Sequence, residues 1–479
     1  KNDMKNIFKS LLWAAFAFCI TSCGEVDMGN TPQAEKGLLS LTAKIAGESQ
    51  VFSPTKRGPY KDGDVIEFKF PSPIEDPVDL SKVNLIVSLE NDCFVQPGLP
   101  GTIDLTSPFE LKVKTAIGVV KTYIIKAIPV GPIATFKKGW FKNGNDLDYI
   151  WPVWISSIAI SNNDFVLYDG VENYDESYIK VYGEKNADLK KKIKAPHTFI
   201  SQVKTDDAGH IIAARENIYG AGFMLYYYED MNSEPKLLLD YMHDNGCPLL
   251  LGYRFSIVGN LKEGKAYIYA LSGNTYFGAQ GKEYYRFEFN DGVPISTVPV
   301  KVDFSDNITG VWESANIQRL TTADNSDIYL SYFQYSNSDT QQLLGSHIYC
   351  FNEELNNLTE MNRKNFDYKL LGFRVFEIDG HRFLAMLTQA FGSSSVCMKV
   401  FDIANKNNLT AMNPDSDNYN EFLIFESEQY AVNNINQWGD VAVKVDNNKA
   451  QIYATIVSAD KSQSGVAMYE MTYYPPTQQ

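Results

Sequence analysis

The chain has 479 residues, of which 44% are hydrophobic and 21% charged, and this composition excludes a mostly disordered protein. Its formal net charge of −15 argues against nucleic acid as the main partner, because phosphate binding needs a basic surface. Aromatic residues reach 13%, and this enrichment favours a protein built from β-strands.

Residues 1–22 are predicted to be a secretion signal. Lys5 and Lys9 provide a positive start, and a short apolar run follows at 11–20. A run of about ten residues is too short to span a bilayer core, which needs roughly twenty. The run leads into Cys23, and residues 23–36 are polar, with the composition of a flexible tether.

Cys23 follows an aliphatic residue and two small residues, and this pattern resembles a bacterial lipobox. The resemblance implies cleavage before Cys23, lipidation of its sulfur and a membrane anchor. The alternative is an ordinary secretory signal with an unrelated cysteine. Glu25 and Asp27 follow closely, and acidic residues at this place resemble the surface-export signal of Bacteroidota lipoproteins. We therefore expect an outer-membrane protein that faces the cell exterior, with a periplasm-facing position as the alternative.

Four cysteines remain downstream and lie far apart in the sequence. They show no CxxC spacing and no paired histidines, so no zinc site is predicted. Disulfides would be allowed in an exported protein, but a chain of this length can bury a core without them. We therefore expect buried free thiols at Cys93, Cys247, Cys350 and Cys397.

Residues 37–131 are predicted to form a small β-sandwich. Several runs in this segment alternate apolar and polar residues, as strands buried on one face do. The runs lie at 38–45, 65–70, 83–89, 109–114 and 120–126. Their number and spacing suggest an Ig-like fold. Residues 108–126 resemble the closing hairpin of the Ig-like modules that follow the anchor in Bacteroidota surface lipoproteins, which implies a spacer without a site of its own.

Residues 132–479 repeat one pattern of three strands about every fifty residues. The first strands are predicted at 155–161, 199–205, 253–258, 316–321, 373–378 and 441–445. The second strands are predicted at 165–168, 211–215, 266–271, 328–333, 382–387 and 451–457. The third strands are predicted at 178–182, 223–228, 284–289, 347–352, 396–401 and 466–473.

Six such units predict an all-β, six-bladed β-propeller. The last unit ends after its third strand, close to the end of the sequence. Each blade of a propeller has four strands, so the last unit lacks one. A segment at 133–138 could supply this fourth strand and close the ring. Two stacked sandwiches are the alternative architecture.

Catalytic signatures are missing from the sequence. It contains no P-loop, no GxSxG and no HExxH, and no cofactor or metal site is predicted. Asp415, Asp417 and Glu421 have the alternating oxygen donors that can bind calcium, but the glycine of an EF-hand loop is absent. We interpret this stretch as a solvated loop.

The candidate binding residues lie in loops that a propeller would gather on one face. These are the loops that lead into the first strands and those that join second to third strands. Aromatic rings can stack on the apolar faces of sugars, and the same residues could instead pack between blades. The aromatic candidates are Trp154, Trp312, Trp438, Tyr219, Tyr276 and Phe277.

Two arginines complete the predicted site. The sequence from Leu251 to Arg254 is echoed from Leu371 to Arg374 at corresponding points of two repeats. Arginines in the first strands could point into the central channel and hold a carboxylate or several hydroxyls.

The combination of lipobox, Ig-like spacer and propeller resembles accessory lipoproteins of Bacteroidota glycan-uptake systems. The resemblance implies a glycan-binding surface lipoprotein, without catalysis, beside a TonB-dependent transporter and its lid lipoprotein. A polysaccharide hydrolase or lyase on the same face is one alternative. A docking component that binds no sugar is the other.

Overall fold

A computed structural model describes residues 37–72, 77–131, 133–149, 156–173, 176–215, 217, 222–272, 283–304, 315–335, 343–356, 358–361, 368–390, 394–411, 419–433 and 439–475. Nearly all regular structure in these ranges is β-strand. Among the described residues, helix is limited to α1 (Asn408–Ala411), α2 (Tyr419–Phe422) and one 3₁₀ turn at His243–Asn245. None of these described helices has the length and apolarity needed to cross a membrane.

Two sheets that share one hydrophobic core form the N-terminal part. The strands are β1 (Leu38–Ile45), β2 (Val51–Phe52), β3 (Val65–Pro71), β4 (Val83–Leu89), β5 (Phe94–Val95), β6 (Phe109–Lys114) and β7 (Val120–Val130). One sheet has the order β2-β1-β4, and the other has the order β3-β7-β6-β5 with a parallel β3–β7 pair. The alternation of buried and more exposed residues along the strands explains the packing, since Ile66, Phe68 and Phe70 on β3 all face the core.

The five strands predicted in this segment are confirmed. The structure adds two-residue strands, β2 and β5, which are too short to give a periodic signal. A sandwich of two sheets is therefore present, and the Ig-like topology stays a prediction.

Six further sheets follow, and each forms one blade. Blade 1 contains β9 (Ser157–Ser161), β10 (Asp164–Tyr168), β11 (Val171–Asn173), β12 (Glu176–Gly183) and β13 (Leu189–Lys194). Blade 2 contains β14 (Ile200–Thr205), β15 (Ile211–Arg215), β16 (Phe223–Tyr228) and β17 (Lys236–Tyr241). Blade 3 contains β18 (Phe255–Asn260), β19 (Glu263–Leu271), β20 (Glu283–Asn290), β21 (Val293–Pro294) and β22 (Val300–Asp303).

The second half of the ring repeats this plan. Blade 4 contains β23 (Asn316–Arg319), β24 (Ile328–Tyr335), β25 (Leu343–Phe351) and β26 (Thr359–Glu360). Blade 5 contains β27 (Tyr368–Ile378), β28 (His381–Ala390), β29 (Ser395–Asp402), β30 (Leu423–Glu426) and β31 (Tyr430–Ala431). Blade 6 contains β32 (Val441–Asp446), β33 (Lys449–Ile456), β34 (Gly465–Tyr473) and, from the other end of the chain, β8 (Ala134–Asn143).

The first strands of the six blades surround a central channel. Each of β9, β14, β18, β23, β27 and β32 lies against the first strand of the next blade, and β32 returns to β9. This closed ring confirms the predicted six-bladed propeller over two stacked sandwiches. All eighteen predicted blade strands overlap observed ones, with most ends shifted by one to three residues.

The ring is closed by pairing the two ends of the propeller segment. β8 runs antiparallel to β34, from the Ala134–Tyr473 pair to the Asn143–Gly465 pair. The predicted closing strand at 133–138 is confirmed and extends five residues further. β8 also joins the neighbouring blades, because Phe136 stacks on Phe425 of blade 5 and Trp140 donates to the Glu184 carbonyl of blade 1.

The sandwich contacts the outer edge of blade 5. The Gln50 side chain donates to the Ile424 carbonyl at 3.1 Å, and the Asn420 side chain donates to the Pro54 carbonyl at 2.6 Å. The Arg57 guanidinium lies 4.5 Å from the centre of the Tyr419 ring. These contacts hold the sandwich at the rim of the propeller, away from the central channel.

The four described cysteines are free thiols, and three of them are buried. Burial raises the pKa of Cys247 and of Cys350 to about 11 in each case, and it also raises the pKa of Cys397. Because only the thiolate reacts, about a thousandth of a thiol with such a pKa is reactive at pH 8.

Native alkylation is therefore expected to be selective. Iodoacetamide at pH 8 should modify the partly exposed Cys93 first, and the three buried thiols only after unfolding. Peptide mass spectrometry of native and denatured samples measures the order. Equal native rates for Cys93 and Cys247 would contradict the described burial.

Candidate functional site

Polar side chains from all six blades meet in the central channel. We call this set the channel cluster; most of its members lie at or near the starts of the first strands, on the face predicted to carry the binding loops. Its members, from blade 1 to blade 6, are Ser157, Lys204, Arg254, Asn316, Arg374 and Asp440. Of these, the sequence analysis had selected the two arginines.

Asp440 is the buried anion of the channel cluster. It directly precedes β32, and its side chain is 3% exposed. The Lys204 ammonium donates to both carboxylate oxygens, at 3.0 and 2.8 Å. The Ile158 amide donates to the same carboxylate at 3.1 Å, and the Ser157 hydroxyl lies 3.2 Å from it. One carboxylate thereby joins blades 6, 1 and 2.

Arg254 spans the channel. It directly precedes β18 in blade 3 and is 6% exposed. One guanidinium nitrogen donates to the Asn316 side-chain oxygen of blade 4 at 3.1 Å. Another donates to the Gly439 carbonyl of blade 6, on the opposite side of the ring, at 2.9 Å. These two bonds fix the guanidinium in place and satisfy part of its donor capacity.

Arg374 lies within β27, on the strand face that approaches blade 6. Gly372 precedes it on that face, and a Cβ at Gly372 would lie 3.0 Å from the Gly439 carbonyl oxygen. The Arg374 side chain is partly buried. Among the described residues it has no hydrogen-bond acceptor and no ion pair within 4.0 Å. The guanidinium of Arg374 therefore lies in the channel, and the described residues do not use its hydrogen-bond donors.

One glutamine positions the backbone next to each arginine. Gln202 on β14 accepts a hydrogen bond from the amide of Phe255, which follows Arg254, at 2.8 Å. Gln318 on β23 accepts one from the amide of Val375, which follows Arg374, also at 2.8 Å, and donates to the Val375 carbonyl. Each arginine is thus fixed by the blade that precedes its own.

The two arginines of the sequence echo differ in where their strands begin. Arg254 stands just before its strand, whereas Arg374 is the seventh residue of β27. Packing explains the first residue of the repeated sequence, because Leu251 and Leu371 are both buried in hydrophobic cores between blades. β27 starts earlier in its blade because residues from Tyr368 onward also pair with β28, and the glutamine contacts beside the two arginines are the same.

Burial governs the electrostatics of the three cations. Desolvation lowers the pKa of Lys204, and nearby Arg374 and Arg254 act in the same direction while Asp440 opposes them. Desolvation likewise lowers the pKa of both guanidinium groups, against the attraction of Asp440 for Arg254 and of Asp207 and Asp440 for Arg374. Arginine remains protonated at neutral pH even so. The channel cluster therefore has three cations and a single carboxylate.

The aromatic candidates cannot be placed relative to this cluster. Trp154, Trp312, Trp438, Tyr219, Tyr276 and Phe277 lie outside the described residues, as does Cys23. In the sequence, Trp154, Trp312 and Trp438 stand a few positions before Ser157, Asn316 and Asp440 respectively. Their role in binding stays a prediction.

The structure adds two observations on the acidic candidates. Glu421 belongs to α2, so the predicted loop is shorter than expected, and Asp415 and Asp417 lie outside the described residues. Within the described ranges, no group of three or more His, Cys, Asp or Glu side chains is arranged to hold a metal ion.

Sequence reasoning missed Lys204, Asp440, Asn316 and the two glutamines. The sequence contained a weak indication of the two glutamines. Each is a polar residue in the middle of a short, buried strand, where it needs a hydrogen-bond partner. Asp440 carried no such signal, since aspartate before a strand is common in turns.

The propeller corresponds to a known domain family. Residues 165–471, which are more than half of the chain, match the domain of unknown function DUF8500. The chain belongs to the DUF8500 family. The match runs from β10 of blade 1 to β34 of blade 6. Residues 18–127 match a second domain of unknown function, DUF5018, which ends within β7. No curated protein matches this sequence.

Solved structures resemble this DUF8500 protein at low identity. A DUF4623 family protein from Bacteroides eggerthii is 14% identical, with 91% of this chain and 98% of that chain covered and a TM-score of 0.49. The α-L-arabinofuranosidase Arb93A from Fusarium graminearum is 8% identical, with coverages of 71% and 98% and a TM-score of 0.41. A subtype N11 neuraminidase-like protein of A/flat-faced bat/Peru/033/2010 (H18N11) is 8% identical, with coverages of 73% and 96% and a TM-score of 0.41. No residue role transfers at these identities, and the propeller assignment rests on the sheets described above.

Proposed function

We propose that this protein binds polysaccharide or oligosaccharide at the mouth of its propeller channel. The observation that carries the proposal is the channel cluster, in which fixed and unused hydrogen-bond donors from different blades converge on one opening. Sugar hydroxyls and carboxylates are acceptors for such donors. In the sequence, Trp154, Trp312 and Trp438 stand a few positions before Ser157, Asn316 and Asp440, and they would add stacking surfaces.

The proposal includes a place for the protein in the cell. Lipidation at Cys23 would anchor the chain in the outer membrane, facing the exterior. The N-terminal sandwich would act as a spacer, since it contacts the propeller at its rim and leaves the channel open. A TonB-dependent transporter and its lid lipoprotein would receive the captured glycan.

Binding without catalysis is better supported than hydrolysis. Glycosidases use two carboxyl groups on either side of the scissile bond. In the channel cluster the carboxylate of Asp440 already accepts hydrogen bonds from Lys204 and from the Ile158 amide. It is held as a structural anion, which suits neither a general acid nor a nucleophile.

Calorimetry and affinity gels with a soluble chain that begins after Cys23 test the proposal. We expect saturable binding to at least one polysaccharide in a panel of plant, host and microbial glycans, without release of products. Replacing Trp312 and Trp438 together by Ala should weaken this binding by about tenfold or more, as for buried aromatic contacts at interfaces.

Phe94→Ala is the matched control, because Phe94 is an aromatic residue of the sandwich that is 51% exposed and lies on no channel loop. Its binding should equal that of the unchanged chain. No binding across the panel, combined with capture of a large outer-membrane partner, would replace the proposal by the docking role. Product release would replace it by the hydrolase or lyase.

A further inference from the structure

The charges in the channel cluster do not balance. Lys204, Arg254 and Arg374 bring three cations, and Asp440 is the one carboxylate among the members of the cluster. The other carboxylate whose charge acts on Arg374 is Asp207, which is exposed to solvent in the turn after β14 and bonds the Gly259 amide. A protein with a formal net charge of −15 therefore concentrates positive charge at its axis.

Asp440 cannot neutralise more than one of these cations. Both of its oxygens contact Lys204, at 3.0 and 2.8 Å. Arg254 instead donates to two neutral oxygens, those of Asn316 and Gly439. Arg374 has no partner among the described residues, so its charge is the one left over. Because Arg374 is partly buried, its charge is partly withdrawn from water, and a bound anion would offset that loss of hydration.

The guanidinium of Arg374 has the geometry needed to bind a carboxylate. A guanidinium presents its donors as a planar fork, which matches the two oxygens of a carboxylate. Gln318 fixes the backbone beside Arg374 through both the amide and the carbonyl of Val375. The receptor is therefore built on a rigid strand and needs little ordering when a ligand binds.

We propose that the channel selects acidic glycans, with Arg374 holding the carboxylate of a uronic-acid or similar acidic sugar and with Arg254 and Lys204 adding to the positive potential around it. This inference rests on the proposed function and narrows it to one class of ligand. Arg254 and Gln318 act as positioning residues for the carboxylate subsite.

The test compares each acidic polysaccharide with its own carboxyl-reduced form. Calorimetry with polygalacturonate, alginate and hyaluronan, and with the neutral polymers made from them, changes the carboxylate and keeps the backbone of the sugar chain. We expect at least one acidic polymer to bind about tenfold or more tighter than its reduced form. This comparison uses the unchanged protein and does not depend on any variant folding.

Variants then locate the carboxylate. Arg374→Gln should remove the preference for the acidic polymer, and Arg374→Lys should restore part of it, because lysine keeps the charge but loses the fork. Lys449→Gln is the matched control, since it removes an exposed cation from the hairpin after β32, at the far end of that strand from Asp440. It should leave the preference intact. Thermal melts establish that all three variants are folded.

The failures are distinguishable. Equal binding of acidic and reduced polymers would overturn the acidic-glycan inference while the proposed function stands. A preference for the acidic polymer that survives Arg374→Gln would overturn the assignment of the subsite to Arg374. Absence of binding to every glycan in both sets would overturn the proposed function and this inference together.

Discussion

Replacing Asp440 by Asn is expected to lower the free energy of unfolding by about 3–5 kcal/mol, the usual loss when one partner of a buried ion pair is removed. The amide keeps the shape of the side chain but removes its charge. Lys204, which is 15% exposed, would lose its ion pair, and Arg254 and Arg374 would lose the attraction of the nearby anion. One carboxylate oxygen would also become an amide group beside the Ile158 N–H, which is a donor itself.

Denaturant unfolding followed by tryptophan fluorescence measures this loss. Asp188→Asn is the matched control, because Asp188 is exposed in the hairpin between β12 and β13, and it should change stability by less than about 0.5 kcal/mol. The double variant with Lys204→Met should recover part of the loss, since the stranded cation is then gone. A single Asp440→Asn variant as stable as the Asp188 control would show that the carboxylate does not hold the blades together.

The strands were predictable because their signal is local. A middle strand such as β10 is buried on both faces, and one such as β3 alternates, and both patterns can be recognised within six residues. Even ring closure followed from local patterns, because the last repeat lacked a strand and a spare one stood before the first.

The channel cluster could be predicted only in part, because it depends on which blades face each other. Lys204 and Asp440 are 236 positions apart in the chain, and nothing in either local sequence links them. Arg254 and Arg374 were found because their surrounding residues repeat. That same repeat predicts equivalent places for the two arginines, and each has a glutamine of the preceding blade bonded to the amide of the residue that follows it.

Removing β8 is expected to open the propeller. A chain that begins at Gly144 lacks β8, the outer strand of blade 6. It therefore loses the hydrogen bonds that β8 makes along the whole length of β34. It also loses the packing of Phe136 on Phe425 and of Trp140 beside Phe165. Loss of the buried Phe136 alone costs about 3–5 kcal/mol, and loss of the partly buried Trp140 adds to it, so the total approaches the whole stability of a typical domain. The exposed edge of β34 would then favour aggregation.

A chain that begins at Ile133 is the matched control, because it differs from the shorter one by 11 residues and retains all of β8. It lacks the sandwich but keeps every blade, so it should melt cooperatively and elute as a monomer at low concentration. Calorimetry and size-exclusion chromatography of the two chains provide the comparison. If both melted alike, the β8–β34 pairing would be dispensable for closure, and contacts between neighbouring blades alone would hold the ring.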